Sequence, residues 1–211
     1  MLSKLPKPNS KINLYLDLDE TLIYSVDIRR KKTIPSYIEQ FKHHNFDNAY
    51  LVLERPGLQA FLDWAFEHFT VSIWSAGSPD YVDFIARNII GTKKRHLKRV
   101  LNSDNCDQSQ TLYGDDHLKK LDMLWEHYKF PNHGPDNTVL LDDLCLNMRS
   151  QPMNCVRIVK FLGTEKFVGD KEFDKIKKKL EDILVHYKSK RRIDKSPVRV
   201  KKVKKSSVKS I

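Results

Sequence analysis

Asp17 and Asp19 stand two residues apart at the end of INLYLDLDETL, residues 12–22, where an apolar run breaks into acid. Carboxylates next to a buried segment are costly unless something pairs with them. The pair is therefore either the polar turn after an ordinary strand or a site that holds a metal ion and does chemistry. Just past a strand end both side chains can turn toward one cation. Mg²⁺ takes oxygen ligands, typically one or two carboxylates with waters and a substrate phosphate. The backbone carbonyl of Asp19 can add a ligand, and Asp142, near the end of TVLLDD (138–143), can complete the set. With a cation absorbing negative charge, one aspartate can attack a phosphorus as nucleophile. The other can protonate the leaving oxygen and then activate water. The hydroxyls of Thr21 or Ser75 can bind phosphate oxygens, and a lysine can neutralise the transferring group.

These residues need a scaffold that gathers them. Residues 12–17 read as a short strand apolar on both faces, and TVSIW (70–74) and TVLLDD repeat the pattern. Further strands are expected around 96–101 and over CVRIVKF, 155–161. Helices are expected after Arg55-Pro56-Gly57, after Ser78-Pro79-Asp80 with Tyr81, Phe84 and Ile85 facing in, in part over 118–128, and over 170–187. The 170–187 helix places Phe173, Ile176, Leu180, Ile183, Leu184 and Tyr187 on one face. Residues 102–117 read as a polar loop. Residues 23–53 do not fit a helix and read as an inserted flap with one or two strands. Strands alternating with helices imply an α/β domain, a mostly parallel sheet with helices on both faces. Ligands bind such sheets outside the carboxyl ends of the strands. The polar residues at 17–21, 75–77 and 142–143 then meet in one crevice.

At 211 residues and 40% hydrophobic, the chain can build one domain of ordinary size plus tails. No apolar run approaches the roughly 20 residues that cross a bilayer, so no membrane partner is expected. MLSKLPKPNSK is too polar for a secretory signal, and an intracellular location is expected. Three cysteines without CxxC spacing argue against a disulfide framework or a zinc site. Residues 188–211 carry eleven Lys/Arg and one Asp, and so hold +10 of the net +11. The body, 1–187, is nearly neutral. A basic block with few aromatics is expected to be disordered. It reads as a nuclear-import signal, a nucleic-acid contact, an attachment to an acidic partner, or a solvated tail.

DLDETL, then WSAG at 74–77, HLKKL at 117–121 and VLLDDL at 139–144 resemble the motifs of the haloacid-dehalogenase (HAD) superfamily of phosphotransferases. More narrowly they resemble the FCP/SCP-like (NLI-interacting-factor) phosphatases of the RNA polymerase II C-terminal domain (CTD). LVLERPGLQAFLDW (51–64) and QPMNCVRI (151–158) extend the resemblance over about residues 10–185. The resemblance implies a Mg²⁺-dependent phosphoserine or phosphothreonine phosphatase working through a phospho-aspartate. It makes Asp17 the nucleophile and a metal ligand. Asp19 becomes the general acid/base, with its carbonyl on the metal. Thr21, Ser75 and the Ala76 N–H bind phosphate, Lys119 stabilises the phosphoryl group, and Asp142 is the third metal carboxylate. Asp143 either joins the metal or caps the following helix. The insert matches the family's substrate-contacting flap, to which Arg55 is weakly assigned. The phosphorylated CTD repeat is the substrate the resemblance suggests.

Departures from the family remain. Lys120 stands where the family usually has Asp, which leaves Lys119 and Lys120 both open. The flap itself shows little similarity. A HAD phosphatase acting on nucleic-acid ends, or a binding module without catalysis tethered by its tail, are the rival readings. His43, His44 and His117 read as solvent-exposed, Cys145, Cys155, Trp64 and Trp125 as core. Trp74 either lines the site or faces inward. The basic patch at Arg29–Lys32 reads as a solvated flap tip or as a contact for an acidic phosphopeptide, the former preferred.

Overall fold

A computed structural model describes residues 12–29 and 34–194. The apolar runs form the strands of a five-stranded parallel sheet. These are β1 (Asn13–Leu16), β5 (Thr70–Trp74), β6 (Val100–Leu101), β7 (Thr138–Asp142) and β8 (Cys155–Arg157), in the order β6-β5-β1-β7-β8. Side chains alternate across a strand, so each run supplies two faces. Leu14, Leu16, Val71, Ile73, Val139 and Leu141 pack with α1 (Leu58–His68), α2 (Pro79–Ile85) and α5 (Glu172–Asp194). Tyr15, Trp74, Leu140 and Cys155 pack on the other face with Cys106 of α3 (Ser103–Tyr113) and with residues of the 118–130 segment. The helices lie on both faces, as expected. Trp74 is fully buried and faces inward, its ring edge-on to Tyr15.

Register places the site. Leu16 lies opposite both Ile73 and Leu141. Asp17, Trp74 and Asp142 therefore come level at the carboxyl edge, and Ser75 follows directly. Parity does the rest. Asp17 continues the Tyr15 side and Asp142 the Leu140 side, so both carboxylates point to the face that the 118–130 segment covers.

Several expectations change in detail. The flap has three strands rather than one or two: β2 (Ile23–Asp27), β3 (His43–Phe46) and β4 (Tyr50–Glu54), antiparallel in the order β2-β4-β3. Asp47 and Asn48, at φ 52° and 50°, turn β3 into β4, the backbone a tight hairpin demands. His43 and His44 lie half-buried on β3 rather than in an exposed loop. His44 Nε2 sits 2.7 Å from the Glu54 carboxylate. Cys155 is buried, while Cys145, Trp64 and Trp125 are half-buried. Residues 103–113 form a helix where a loop was expected. Asn102 and Asn105 bond each other's backbone in a capping box, while only Cys106 and Ser109 face inward. Over 118–128 only an irregular turn, Met123–His127, is helical. The strand expected over 96–101 shrinks to Val100–Leu101. That over 155–161 stops at Arg157, since Phe161 leaves the sheet to donate its N–H to Glu20. Helix α5 continues to Asp194, so the sequence boundary between body and disordered tail at 187 falls inside a helix. Residues 195–211, and Arg30–Lys32 of the basic patch, lie outside the described residues.

Arg55 corrects the assignment to the substrate flap. It is 1% exposed. Its Nε donates to Asp170 Oδ2 at 2.6 Å, and its Nη1 to the carbonyls of Thr21 (3.0 Å) and Val159 (2.8 Å). Its guanidinium lies over the rings of Phe161 and Phe173. Asp170 also accepts the Glu172 N–H and so starts α5. The arginine clamps the loop after β1 to the segment after β8. Arg55→Ala is expected to cost about 3–5 kcal/mol, the scale of stranding one partner of a buried pair. Arg55→Lys is expected to recover little, because one ammonium cannot reproduce the fork. Urea unfolding of the two variants checks both statements.

Candidate active site

Lys119 is the hub of the crevice. Its Nζ donates to Asp17 Oδ1 at 2.5 Å and to Asp142 Oδ2 at 2.8 Å, and all three residues are buried. Of the two lysines it is Lys119 that reaches the acids; Lys120 Nζ turns away to the Ser150 carbonyl and to Asp122. Gln151 accepts the Leu121 N–H and donates to the Lys119 carbonyl. Ser109 donates to the His117 carbonyl and accepts the Lys120 N–H. These buried side chains hold an otherwise irregular segment at one height.

Asp142 is heavily engaged. Besides Lys119 it accepts the Leu144 N–H at 2.7 Å and the Asn147 amide at 3.0 Å. Asp143, half-buried, accepts the Thr21 hydroxyl at 3.2 Å, its hydrogen bond among the described residues. Carboxylate oxygens of Asp17, Asp142 and Asp143 lie within 4.8 Å of one another. This all-oxygen set suits a hard divalent cation. With three of its lone-pair directions used, Asp142 is better suited to fixing Lys119 than to leading a metal shell. Asp17 and Asp143 keep oxygens free. Thr21 has no exposed surface, and its hydroxyl aligns Asp143. The Asp19 carboxylate stands outside this cluster and accepts the Tyr81 hydroxyl at 2.7 Å.

The electrostatics agree with a site short of positive charge. Burial raises the Asp17 carboxyl above the ordinary carboxylate range; Lys119 opposes this and Asp142 adds to it. Burial also raises Asp19, against the Tyr81 hydrogen bond. Burial and then Asp142 raise Asp143. Burial alone lowers Lys119, but Asp17 and Asp142 overturn it and hold the ammonium well above its usual range. A cation among these acids relieves what burial imposes.

Ser75 follows β5, buried at 1%, and its Oγ accepts the Gly77 N–H at 3.0 Å. Ala76 is exposed at the crevice. Sequence reasoning missed Asn147, Gln151 and Ser109; Gln151 reaches back to Lys119 and Leu121 across 32 and 30 residues, whereas Asn147 bonds Asp142 only 5 residues away. It placed Tyr81 only as an inward-facing core residue.

A central strand ending in two aspartates, flanked in register by a serine-bearing and an acid-bearing strand, with a buried lysine across them, defines the haloacid-dehalogenase type of phosphotransferase fold. Within that class the chain belongs to the NLI interacting factor-like phosphatase family, which residues 12–194 match. A CTD phosphatase-like protein, 355R, of Invertebrate iridescent virus 6 is 35% identical over 178 residues, covering 82% of this chain and 96% of that protein. The ubiquitin-like domain-containing CTD phosphatase 1 of Danio rerio is 29% identical over 187 residues, 84% of this chain and 51% of that relative. The chain thus spans about half of the fish protein's length. The solved structure of Fcp1, described as an essential RNA polymerase II CTD phosphatase, superposes with a TM-score of 0.53 at 20% identity. It covers 89% of this chain and 54% of that one, and the likeness shows the fold.

Proposed function

We propose that this chain is a Mg²⁺-dependent phosphatase that hydrolyses phosphoserine or phosphothreonine in a protein substrate through a phospho-Asp17 intermediate. The observation that carries this reading is the buried Lys119 between Asp17 and Asp142, with Asp143 alongside. Asp17, Asp143 and the Asp19 carbonyl would hold Mg²⁺, which supplies neutralising charge to the phosphate and to the attacking carboxylate. Lys119 occupies Asp17 Oδ1 and leaves Oδ2 to attack phosphorus. The Ser75 hydroxyl and the Ala76 N–H bind phosphoryl oxygens. As the P–O bond to the substrate breaks, Asp19 gives its proton to the leaving serine or threonine oxygen. Asp19 then takes a proton from water, whose oxygen attacks the phospho-aspartate; inorganic phosphate leaves, Asp17 returns as the carboxylate and Asp19 as the acid. A protein substrate is supported by the names of the relatives, one CTD phosphatase-like and one a ubiquitin-like domain-containing CTD phosphatase.

Hydrolysis of an aryl phosphate with Mg²⁺, with EDTA, and with Mg²⁺ restored tests the reading. Turnover that vanishes with chelation and returns with the metal is expected. A well-folded protein that turns over neither the aryl phosphate nor any phosphopeptide overturns it.

A further inference from the structure

Tyr81 joins the flap to the residue proposed as acid and base. It is 9% exposed on α2. Its ring packs over Gly77, where an added Cβ would lie 2.8 Å from Tyr81 Cδ1. Phe46 of β3 meets the ring edge-on at 5.4 Å. The hydroxyl lies 2.7 Å from Asp19 Oδ1 and 2.5 Å from Ser25 Oγ on β2. A phenol has one proton. Since Tyr81 gives it to the carboxylate, Ser25 must donate to Tyr81, and the chain runs in one direction from Ser25 through Tyr81 to Asp19.

We propose that Tyr81 is a positioning residue for Asp19: it holds Oδ1 so that Oδ2 alone faces the leaving oxygen, and Ser25 ties that orientation to the first flap strand. The inference rests on the phosphatase reading. The proton given to the leaving alkoxide comes from Asp19 and is restored from water, so Tyr81 gains and loses nothing over a turnover. General acid catalysis matters most when the leaving group is poor. A serine or alkyl alkoxide needs the proton, whereas a nitrophenolate leaves without it.

The test compares native protein, Tyr81→Phe and Ser25→Ala on an alkyl phosphate and on p-nitrophenyl phosphate. Tyr81→Phe is expected to lose about 10–100-fold in kcat/KM on the alkyl substrate, up to the lower end of the range that a placed acid contributes. On the nitrophenyl substrate the loss in kcat/KM, which reports only the steps up to the phospho-aspartate, stays within about threefold. Ser25→Ala shows the same selective pattern, more weakly. In an Asp19→Asn background Tyr81→Phe adds nothing further, as a residue acting through Asp19 must. Equal loss on both substrates, or none, overturns the inference while leaving the phosphatase reading intact. A native protein inactive on both overturns the phosphatase reading, and this inference with it. Should Tyr81→Phe fail to fold, the Ser25→Ala comparison decides by the same criterion.

Discussion

Asp17→Asn is expected to remove turnover while leaving the fold as stable as before, or more so. In the proposed mechanism the carboxylate is the group that bonds to phosphorus, and an amide cannot replace it. Removal of a nucleophile elsewhere costs about 10⁶-fold, and a loss of at least about 10⁴-fold is expected here. The stability half follows from burial. The folded protein holds the Asp17 carboxyl above its ordinary range, so it binds that proton more tightly than the unfolded chain does. Between the ordinary range and pH about 7, the unfolded state has released the proton and the folded state has not. Stability of the metal-free protein therefore falls as pH rises through this window. Asp19 and Asp143, raised in the same direction, add to the slope. Asparagine has no charge to bury, so the Asp17→Asn slope is shallower. Thermal unfolding in EDTA across this pH window, beside turnover with Mg²⁺, reads both halves. A variant that is inactive and also badly destabilised at neutral pH would contradict this account.

Lys119→Met carries the second large effect. It preserves length and apolar volume but strands Asp17 and Asp142, both buried, without their shared cation. Breaking a buried ionic cluster by deleting one member costs about 3–5 kcal/mol. The cost depends on pH, because protonated carboxyls need no partner. The metal-free variant is expected to approach native stability in mild acid and to lose most of it toward neutral pH. Native Lys119 has the same sign in a more alkaline range. Its charge is held above the usual lysine range, so its stabilisation is complete at neutral pH and is lost only in strong alkali. Added Mg²⁺ should return part of the variant's stability by occupying the same acids, through ligand linkage. It should return little turnover, because the transferring phosphoryl group still lacks its ammonium. Urea unfolding with and without Mg²⁺ at two pH values separates the two contributions. A variant equally destabilised at every pH would indicate lost packing instead.

What could be read from the sequence was what lies contiguous in it. DLDETL, TVSIW with SAG, and TVLLDD are unbroken apolar runs ending in chemistry, and runs of that kind form buried parallel strands. The crevice at their carboxyl ends followed. Lys119 could not be separated from Lys120 by spacing. The choice depends on which sheet face Asp17 and Asp142 share and on how Gln151 and Ser109 hold a segment without regular structure. Helix α3 escaped notice because its buried face is little more than Cys106 and the polar Ser109. Arg55 read as a substrate residue because its position beside Pro56 hid its partners, Asp170 and Val159, more than a hundred residues on. Tyr81 looked like core, and its ring is; what its hydroxyl does depends on Asp19, 62 residues before it.

The flap leaves and rejoins the parallel-sheet domain at adjoining points. Ile23 lies opposite Glu54 in register, and the Arg55 N–H bonds the Leu22 carbonyl at 3.0 Å. The inserted hairpin therefore hangs from a closed neck. Lengthening or exchanging what lies between Ile28 and Ala49 leaves the two ends of that neck where they are, and closing a longer loop costs only about 0.6 kcal/mol per doubling. Aspartates, lysine and serine sit on the other side of the neck. The hairpin can thus change in length or sequence beyond Phe46, which packs on Tyr81, without moving the two ends that join it to the sheet domain.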